Sequence, residues 1–323
     1  MPVTFILPMN PMCEKTVFIV LLFATVAACD ASDGNVTVGA AAFPQTSEAT
    51  ARAFQAGPVR LNPPGSFMTS PHWLPDGSGV IASGHSGIGL FMLKPGDPGS
   101  VTIHETYAGG VDWTDDGNTL CLAGPGSLGA FDYDAAAGTL VVSLRSAAMC
   151  ELRAEAKYLE KVVFERSNVR ILHDGLYGGL RVEDGAAETT VEDAGAWSVA
   201  ISPDGSKIAY CTGSLAEPSL FVYDRAGGKT SVGSGAHPSW FPESRFLVYA
   251  LPETKQNALG RNAIARSELI ILDTLSSTSE NLTDTQEAAE MQPAVSPDGN
   301  AVVFSDWRTG AITVLPVGKD RKP

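Results

Sequence analysis

Several features that would point to common functions are missing from this chain of 323 residues. Basic residues are outnumbered, with 22 Lys and Arg against 36 Asp and Glu, and they form no cluster. Such a chain lacks the positive surface that binds phosphate, so we expect no nucleic-acid partner. Only 18% of the residues are charged, while 44% are apolar. This balance excludes global disorder and predicts a substantial core.

Catalytic and metal-binding motifs are missing as well. The chain contains no CxxC, HExxH or G-x-S-x-G pattern, and its five histidines are spread along it. The stretch "GGKT" at 227–230 resembles the end of a phosphate-binding loop, but Tyr223 stands where that loop requires glycine. We therefore expect no metal and no cofactor. The sequence favours a non-catalytic protein over an enzyme.

The N-terminal segment predicts export and a lipid anchor. In "EKTVFIVLLFATVAAC" a lysine and an apolar run of about ten residues lead through small side chains to Cys29, which is the layout of a secretory signal. Its end, "VAAC", resembles a bacterial lipobox, in which the cysteine thiol receives a lipid. We predict a signal peptide over residues 1–28, started at Met1 or Met12, and a lipidated, palmitate-bearing Cys29. A flexible tether follows over residues 29–57.

This segment also predicts where the protein resides. A lipidated cysteine would hold the folded part on the periplasmic side of a bacterial membrane, and the choice between inner and outer membrane stays open. The alternative is an ordinary signal peptide in which Cys29 has no role. Beyond the signal region the cysteines are Cys121, Cys150 and Cys211. They allow at most one disulfide, and the apolar runs around Cys121 and Cys211 favour buried thiols.

From residue 58 onward one phrase recurs. It reads "SPHWLPDGSGVIASG" at 70–84, "SVAISPDGSKIAYCTG" at 198–213 and "MQPAVSPDGNAVVFSD" at 291–306. Its copies align on the last turn residue, at Gly77, Gly117, Gly205, Ser244 and Gly299. Four positions earlier stands a bulky apolar residue, at Trp73, Trp113, Ile201, Trp240 and Val295. The residues three and five positions after the anchor are mainly apolar and share one face of a strand, so each copy predicts an inner strand, a tight turn and a second strand.

The spacing of the copies predicts six units of about 40 residues with four strands each. A degenerate unit at 150–192 uses "KVVFE" as its second strand and "GLRVEDG" as its third, and residues 254–268 form an insertion. The last unit lacks a strand, which "GPVRLNP" at 57–63 would supply. We predict an all-β fold, a six-bladed β-propeller of four-stranded antiparallel blades over residues 58–318. The N-terminal strand closes the last blade, and residues 319–323 form a tail.

In the last copy the phrase S-P-D-G precedes a strand that contains Phe304, and "SDWRTGAITV" follows at 305–314. This pattern resembles the WD-like repeat of the TolB-type propeller family. The resemblance covers about residues 58–318 and implies a propeller. The protein after which that family is named carries an α/β domain before its propeller, and residues 30–57 are too short for one. The resemblance therefore implies a lipoprotein form without the N-terminal domain.

Three residues are candidate contacts for a ligand or partner. His72 and His237 lie near the inner-strand positions, and Trp307 follows a strand in a turn. We expect a monomeric scaffold that binds an envelope protein or peptide without catalysis. The alternative is a protein that binds or hydrolyses glycans or other small molecules at the mouth of the propeller channel. The Pro-Asp-Gly turns are interpreted as turns rather than as calcium ligands.

Overall fold

A computed structural model describes residues 57–318. The ranges that it does not describe within this span are 86–87, 98, 109, 114–118, 124–128, 135–138, 143–160, 167–168, 175–176, 257–259 and 261. The predicted signal peptide, Cys29, nearly all of the tether and the C-terminal tail lie outside the described residues, as does Cys150. Of the described residues, none belongs to a helix that is long and apolar enough to cross a membrane.

All regular elements of the described part are strands. In chain order they are β1 (Val59–Arg60), β2 (Met68–Trp73), β3 (Val80–Gly84), β4 (Ile88–Leu93), β5 (Ser100–Ala108), β6 (Gly110–Trp113), β7 (Thr119–Ala123), β8 (Gly129–Asp134), β9 (Thr139–Val142), β10 (Lys161–Arg166), β11 (Val169–His173), β12 (Gly178–Asp184), β13 (Ala187–Ile201), β14 (Lys207–Ser214), β15 (Glu217–Asp224), β16 (Gly228–Ser234), β17 (Ala236–Trp240), β18 (Phe246–Gln256), β19 (Asn262–Asp273), β20 (Thr278–Asn281), β21 (Glu290–Val295), β22 (Ala301–Asp306) and β23 (Ala311–Pro316).

These strands form antiparallel sheets that follow the chain. Three sheets have the orders β2-β3-β4-β5, β6-β7-β8-β9 and β17-β18-β19-β20. A fourth has the order β1-β23-β22-β21, so the first strand of the described chain pairs with the last. Val59 lies opposite Val314 and Arg60 opposite Thr313. The prediction of four-stranded antiparallel units in an all-β chain is confirmed for these sheets.

The fifth sheet has seven strands, β10 to β16 in order. Its 15-residue β13 is shared: the first part pairs with β12 and the last part with β14. The degenerate unit of the sequence lies here, and "GLRVEDG" is its third strand, as predicted. The prediction for "KVVFE" was wrong, because it belongs to the first strand of the sheet and the second is Val169–His173, in which charged and polar residues interrupt the apolar pattern.

The recurring Pro-Asp-Gly turns are held by their own side chains. In the turn at 202–206, Ser202 Oγ donates to Asp204 Oδ1 at 2.7 Å, and the N–H of Ser206 donates to the same oxygen at 2.9 Å. The turn around Asp298 repeats both contacts through Ser296 and Asn300. An aspartate that accepts from local donors fixes a tight turn. These contacts account for the turn aspartates without calcium.

The hydrophobic core lies between sheets that pack against each other. One cluster brings Trp73 and Val80 against Val303 and Ile312, which joins the sheet of β2 to that of β22. A larger cluster runs from β14 and β15 through β18 and β19 to β22. Each sheet alone would leave an apolar face in water, so this burial is the main stabilising contribution.

Two further segments are the predicted insertion at 254–268 and the N-terminal segment around Asn62. The predicted insertion at 254–268 extends a long hairpin, with Gln256 opposite Asn262 and Thr254 opposite Ile264. The N-terminal segment is fixed by Asn62, whose side chain donates to the carbonyl of Gly310 at 2.7 Å and accepts from the N–H of Ile312 at 2.8 Å. A side chain on Gly310 would collide with Phe67, since an added Cβ would lie 2.3 Å from its Cα.

Candidate functional site

Four inner strands share a kink at the same position of the repeat. Seven residues before the turn anchor, the backbone takes a left-handed conformation at Ser70 (φ 53°), Ser198 (φ 49°), His237 (φ 52°) and Gln292 (φ 56°). Each kink coincides with a register shift against the following strand. Non-glycine residues rarely adopt this conformation, and β-bulges of this kind redirect side chains. The kinks lie at the end of the sheets where β2, β17 and β21 begin, which we call the entry end.

Aromatic side chains form a continuous row at the entry end. The rings of Tyr177 and Trp197 lie 6.5 Å apart, those of Trp197 and His237 lie 5.7 Å apart, and those of His237 and Trp307 lie 6.0 Å apart. The ring planes are tilted or perpendicular, which is the favourable arrangement for aromatic pairs. We call Tyr177, Trp197, His237 and Trp307 the aromatic row. Its members come from three different sheets or from the turns between their strands.

The row continues into a polar cluster around Gln292. The Oε1 of Gln292 accepts from the indole N–H of Trp307 at 3.2 Å, from Ser305 Oγ at 3.0 Å and from the N–H of Ser70 at 2.8 Å. The Nε2 of Gln292 donates to Ser70 Oγ at 3.0 Å. These bonds fix the indole of Trp307 from one side and link β21 to β2. The polar atoms of the cluster are therefore engaged with one another.

Exposure differs sharply along the row. Tyr177 is 52% exposed, whereas Trp197 is 6% exposed and its indole N–H donates to the carbonyl of Gly213 at 3.0 Å. His237 and Trp307 are half-buried. The row thus offers one exposed phenol ring and two half-buried rings, together with a buried indole.

His237 is neutral at physiological pH. Burial lowers the pKa of its imidazole to about 4, because a charged ring loses solvation there. Its Nδ1 is buried and has no hydrogen-bond partner. The neutral ring lies between those of Trp197 and Trp307 in the aromatic row.

The three residues singled out in the sequence have different surroundings. His237 and Trp307 meet in the aromatic row, while half-buried His72 lies on β2, paired with Ile81 two positions beyond the kink at Ser70. Tyr177, Trp197 and Gln292 were not predicted. The sequence contained one sign of the kink. Seven residues before the five anchors stand Ser70, Gly110, Ser198, His237 and Gln292, and a glycine at one of these positions indicates a backbone conformation that other residues rarely adopt.

The tryptophans four positions before the anchor have a structural role. Trp73 and Trp240 are each 7% exposed. The indole N–H of Trp73 donates to the carbonyl of Ala294 at 2.9 Å, and that of Trp240 donates to the carbonyl of Ala200 at 3.0 Å. Each bond crosses from one sheet to another, so these indoles join sheets and offer no free face for stacking.

Groups suited to metal binding are absent from the described part of the chain: no three His, Cys, Asp or Glu side chains there are arranged to hold an ion. Cys211 is a buried free thiol. Burial raises its pKa to about 12, so the thiol is unreactive at neutral pH.

Comparison with known proteins gives no family assignment, since no family model matches the chain. Among solved structures, the chain is similar to the hydrazine synthase of Kuenenia stuttgartiensis at 15% identity and a TM-score of 0.43, covering 80% of this chain and 78% of that one. It is similar to an oligogalacturonate lyase from Vibrio parahaemolyticus at 14% identity and a TM-score of 0.39, covering 80% and 79%. A β-propeller domain from Myceliophteria thermophila matches at 10% identity and a TM-score of 0.41, covering 81% and 99%. TM-scores of this size do not establish a shared fold.

Proposed function

We propose that the protein is a lipid-anchored, six-bladed propeller of a bacterial envelope, and that the aromatic row binds a protein or peptide without catalysis. The row carries this proposal, because it is a set of rings from several sheets gathered at one end. The six-bladed arrangement, the TolB-type relationship, the anchor at Cys29 and the periplasmic location belong to the same proposal.

The contacts between sheets support the six-bladed ring. Dividing the seven-stranded sheet at β13 gives two four-stranded units, and the remaining sheets give four more. The Trp240 bond joins the fifth unit to the fourth, and the equivalent Trp73 bond joins the first unit to the sixth. A linear array would leave the first unit without a predecessor, whereas a ring supplies one.

The chemistry of the row favours a protein or peptide as its ligand. Tyrosine and tryptophan are enriched where proteins bind one another, because they bury large areas at low entropic cost. The polar atoms beside the row already bond to each other around Gln292. A ligand that docks there gains mainly apolar contact with Tyr177, His237 and Trp307.

A peptide selection tests this proposal. Purified protein is panned against a phage library of random peptides, and the selected peptides are measured by calorimetry against three forms: wild type, Tyr177→Ala and Leu275→Ala. Leu275 is the matched control because it is exposed (70%) but lies in the turn between β19 and β20. We expect Tyr177→Ala to weaken binding about tenfold or more, as for an interface anchor, and Leu275→Ala to leave it unchanged. Equal loss in both variants, or no selected peptide, would contradict the proposal.

The alternative function is the binding of a glycan, and the exposed ring of Tyr177 favours it, since an open aromatic face can stack on a sugar. A glycan array probed with wild type and Tyr177→Ala separates the two functions. Specific glycan binding that Tyr177→Ala abolishes, together with no selected peptide, would replace the peptide proposal.

The anchor is tested separately. Cells that express wild type or Cys29→Ala are fed an alkyne analogue of palmitate, and the protein is recovered and assayed for the label. We expect label and membrane association in the wild type and neither in Cys29→Ala. Unlabelled wild-type protein would reject lipidation and leave the peptide site untouched.

A further inference from the structure

Two buried glutamates from different sheets meet near the aromatic row. Glu268 lies on β19 and is 8% exposed, and Glu290 begins β21 and is 2% exposed. Thr283 and Thr285, in the connection from β20 to β21, lie between the two carboxyl groups and bond to both. Two neighbouring carboxylates that are both charged and both buried repel each other strongly.

The contacts of the Thr283 hydroxyl are all satisfied when one of the two carboxyl groups carries a proton. Its Oγ1 accepts from the N–H of Leu269 at 2.8 Å. The same oxygen lies within hydrogen-bond distance of Glu268 Oε2, at 3.0 Å, and of Glu290 Oε2. A hydroxyl has a single proton to donate. It can bond to one carboxyl as donor, and the other carboxyl must then donate to it.

The remaining bonds assign that proton to Glu290. The N–H of Thr285 donates to both oxygens of Glu268, at 3.1 Å each, so both of these oxygens act as acceptors. Glu290 receives only the hydroxyl of Thr285, at 3.1 Å on Oε1. The consistent pattern is that Glu290 Oε2–H donates to Thr283 Oγ1, and Thr283 Oγ1–H donates to Glu268 Oε2.

The surroundings reinforce this assignment. Burial raises the pKa of Glu290 to about 7, and the charges of Glu268 and Asp306 act in the same direction. The charged residues on the elements around the pair are Glu253 and Lys255 on β18, Arg266, Glu268 and Asp273 on β19, Asp284 and Glu287 in the connection, Asp306 at the end of β22 and Arg308 just after it. The two arginines bond elsewhere, Arg266 to Glu253 and Arg308 to the carbonyl of Glu287.

The other packed strands carry two histidines, His237 and His72. His237 on β17 is neutral at physiological pH, because burial lowers its pKa to about 4. His72 lies on β2, beyond the kink at Ser70. The carboxyl of Glu290 is therefore surrounded mainly by negative and neutral groups.

Hydrogen bonds of Ala289 connect the two glutamates to the aromatic row. Ala289, directly before Glu290, accepts the N–H of Trp307 at 2.9 Å and donates its own N–H to Asp306 Oδ1 at 3.1 Å. Ala289 also bridges to Ser267, beside Glu268. The segment that carries Glu290 thus holds β19 on one side and the backbone of Trp307 on the other.

We propose that Glu268 and Glu290 share one proton through Thr283, and that this proton is a latch that sets the position of Trp307 according to pH. Loss of the proton places two charges on one threonine hydroxyl. The segment 283–290 must then move away from β19, and it carries the backbone contact of Trp307 with it. The latch does not require the aromatic row to bind a peptide.

Two measurements on the full chain test the latch. Side-chain NMR of isotope-labelled glutamate follows the carboxyl groups from about pH 5 to about pH 9, and tryptophan fluorescence is recorded over the same range. In the wild type we expect one glutamate to titrate near neutrality with a fluorescence step at the same pH. Glu290→Gln, whose amide can still donate to Thr283, should abolish both signals. Glu280→Gln, in an exposed position of β20, should change neither.

Further variants separate the parts of the proposal. Trp307→Phe should keep the titration and lose the fluorescence step. Glu268→Gln should move the Glu290 titration toward the ordinary range, which serves as the test if Glu290→Gln does not fold. A Glu290 that titrates in the ordinary glutamate range, a near-neutral titration that survives in Glu290→Gln, or a fluorescence step that survives in Trp307→Phe would overturn the latch. So would loss of the titration on adding calcium, since the pair would then bind a cation instead of a proton.

Discussion

The indole of Trp73 provides a direct test of whether the first and last sheets form one packed unit. Its N–H donates to the carbonyl of Ala294, 221 residues away in the chain, and its ring is 7% exposed. Trp73→Phe keeps an aromatic ring in this place and removes the donor. The carbonyl of Ala294 then lacks its partner, and the smaller ring leaves a void between β2 and β21.

The expected loss of stability follows from these two effects. A half-buried carbonyl that loses its hydrogen bond costs about 1–2 kcal/mol, and the atoms lost from a buried indole cost about 1 kcal/mol more. We therefore expect Trp73→Phe to lower the free energy of unfolding by about 2–3 kcal/mol. Trp240→Phe is the matched variant, because its indole makes the same bond between units that are adjacent in sequence.

Urea unfolding followed by circular dichroism measures both variants. The midpoint and slope give the free energies, and the slope reports whether the same surface is exposed in each case. Similar losses in Trp73→Phe and Trp240→Phe would show that the first and last units are packed as firmly as consecutive ones. If Trp240→Phe lost about 2–3 kcal/mol while Trp73→Phe stayed within about 0.5 kcal/mol of the wild type, the closed arrangement would be refuted.

Three further predictions concern titratable groups. The pKa of Glu290 is about 7 in the folded protein, against an ordinary value of 4.5. Between pH 4.5 and about 7 the folded state therefore binds a proton that the unfolded state has lost, and the free energy of unfolding falls as pH rises through this range. At about 1.4 kcal/mol per pH unit this loss reaches about 3 kcal/mol, and unfolding titrations at several pH values should show it in the wild type and not in Glu290→Gln. Burial by itself raises the pKa of Asp204, but hydrogen bonds from Ser206 and Ser202 lower it to about 2. These bonds therefore stabilise the folded state at pH values above the ordinary pKa of aspartate, and their contribution is lost as pH falls through about 2. Asp204→Ala should cost about 1 kcal/mol at neutral pH, and a variant as stable as wild type would show that the turn bonds contribute little. The thiol of Cys211 should resist iodoacetamide in native protein at pH 8 and react after unfolding, as followed by peptide mass spectrometry; rapid native labelling would contradict its burial.

Much of the fold could be predicted from short patterns in the sequence. The recurring turn phrase predicted the strands on either side of Asp204 and Asp298, because a proline, an aspartate and a glycine determine turn geometry within a few residues. Trp73 and Trp240 stand in one column of the repeat and are both buried, because a bulky apolar residue at a fixed place in a repeat faces the same kind of neighbour each time. The degenerate unit was misread at Val169–His173, where charged and polar residues hide the pattern.

Most strands, the turns and the apolar faces could be predicted from the sequence, since each depends on neighbours a few residues apart. The set of side chains that meet at the entry end depends on packing between distant segments. The rings of Tyr177, Trp197, His237 and Trp307 come together because inner strands kink at equivalent positions, and a kink at His237 or Gln292 leaves little trace in the residue pattern. The proton shared by Glu268 and Glu290 depends likewise on one threonine hydroxyl placed between two sheets. Such contacts arise from packing between distant segments, and spacing along the chain does not encode them.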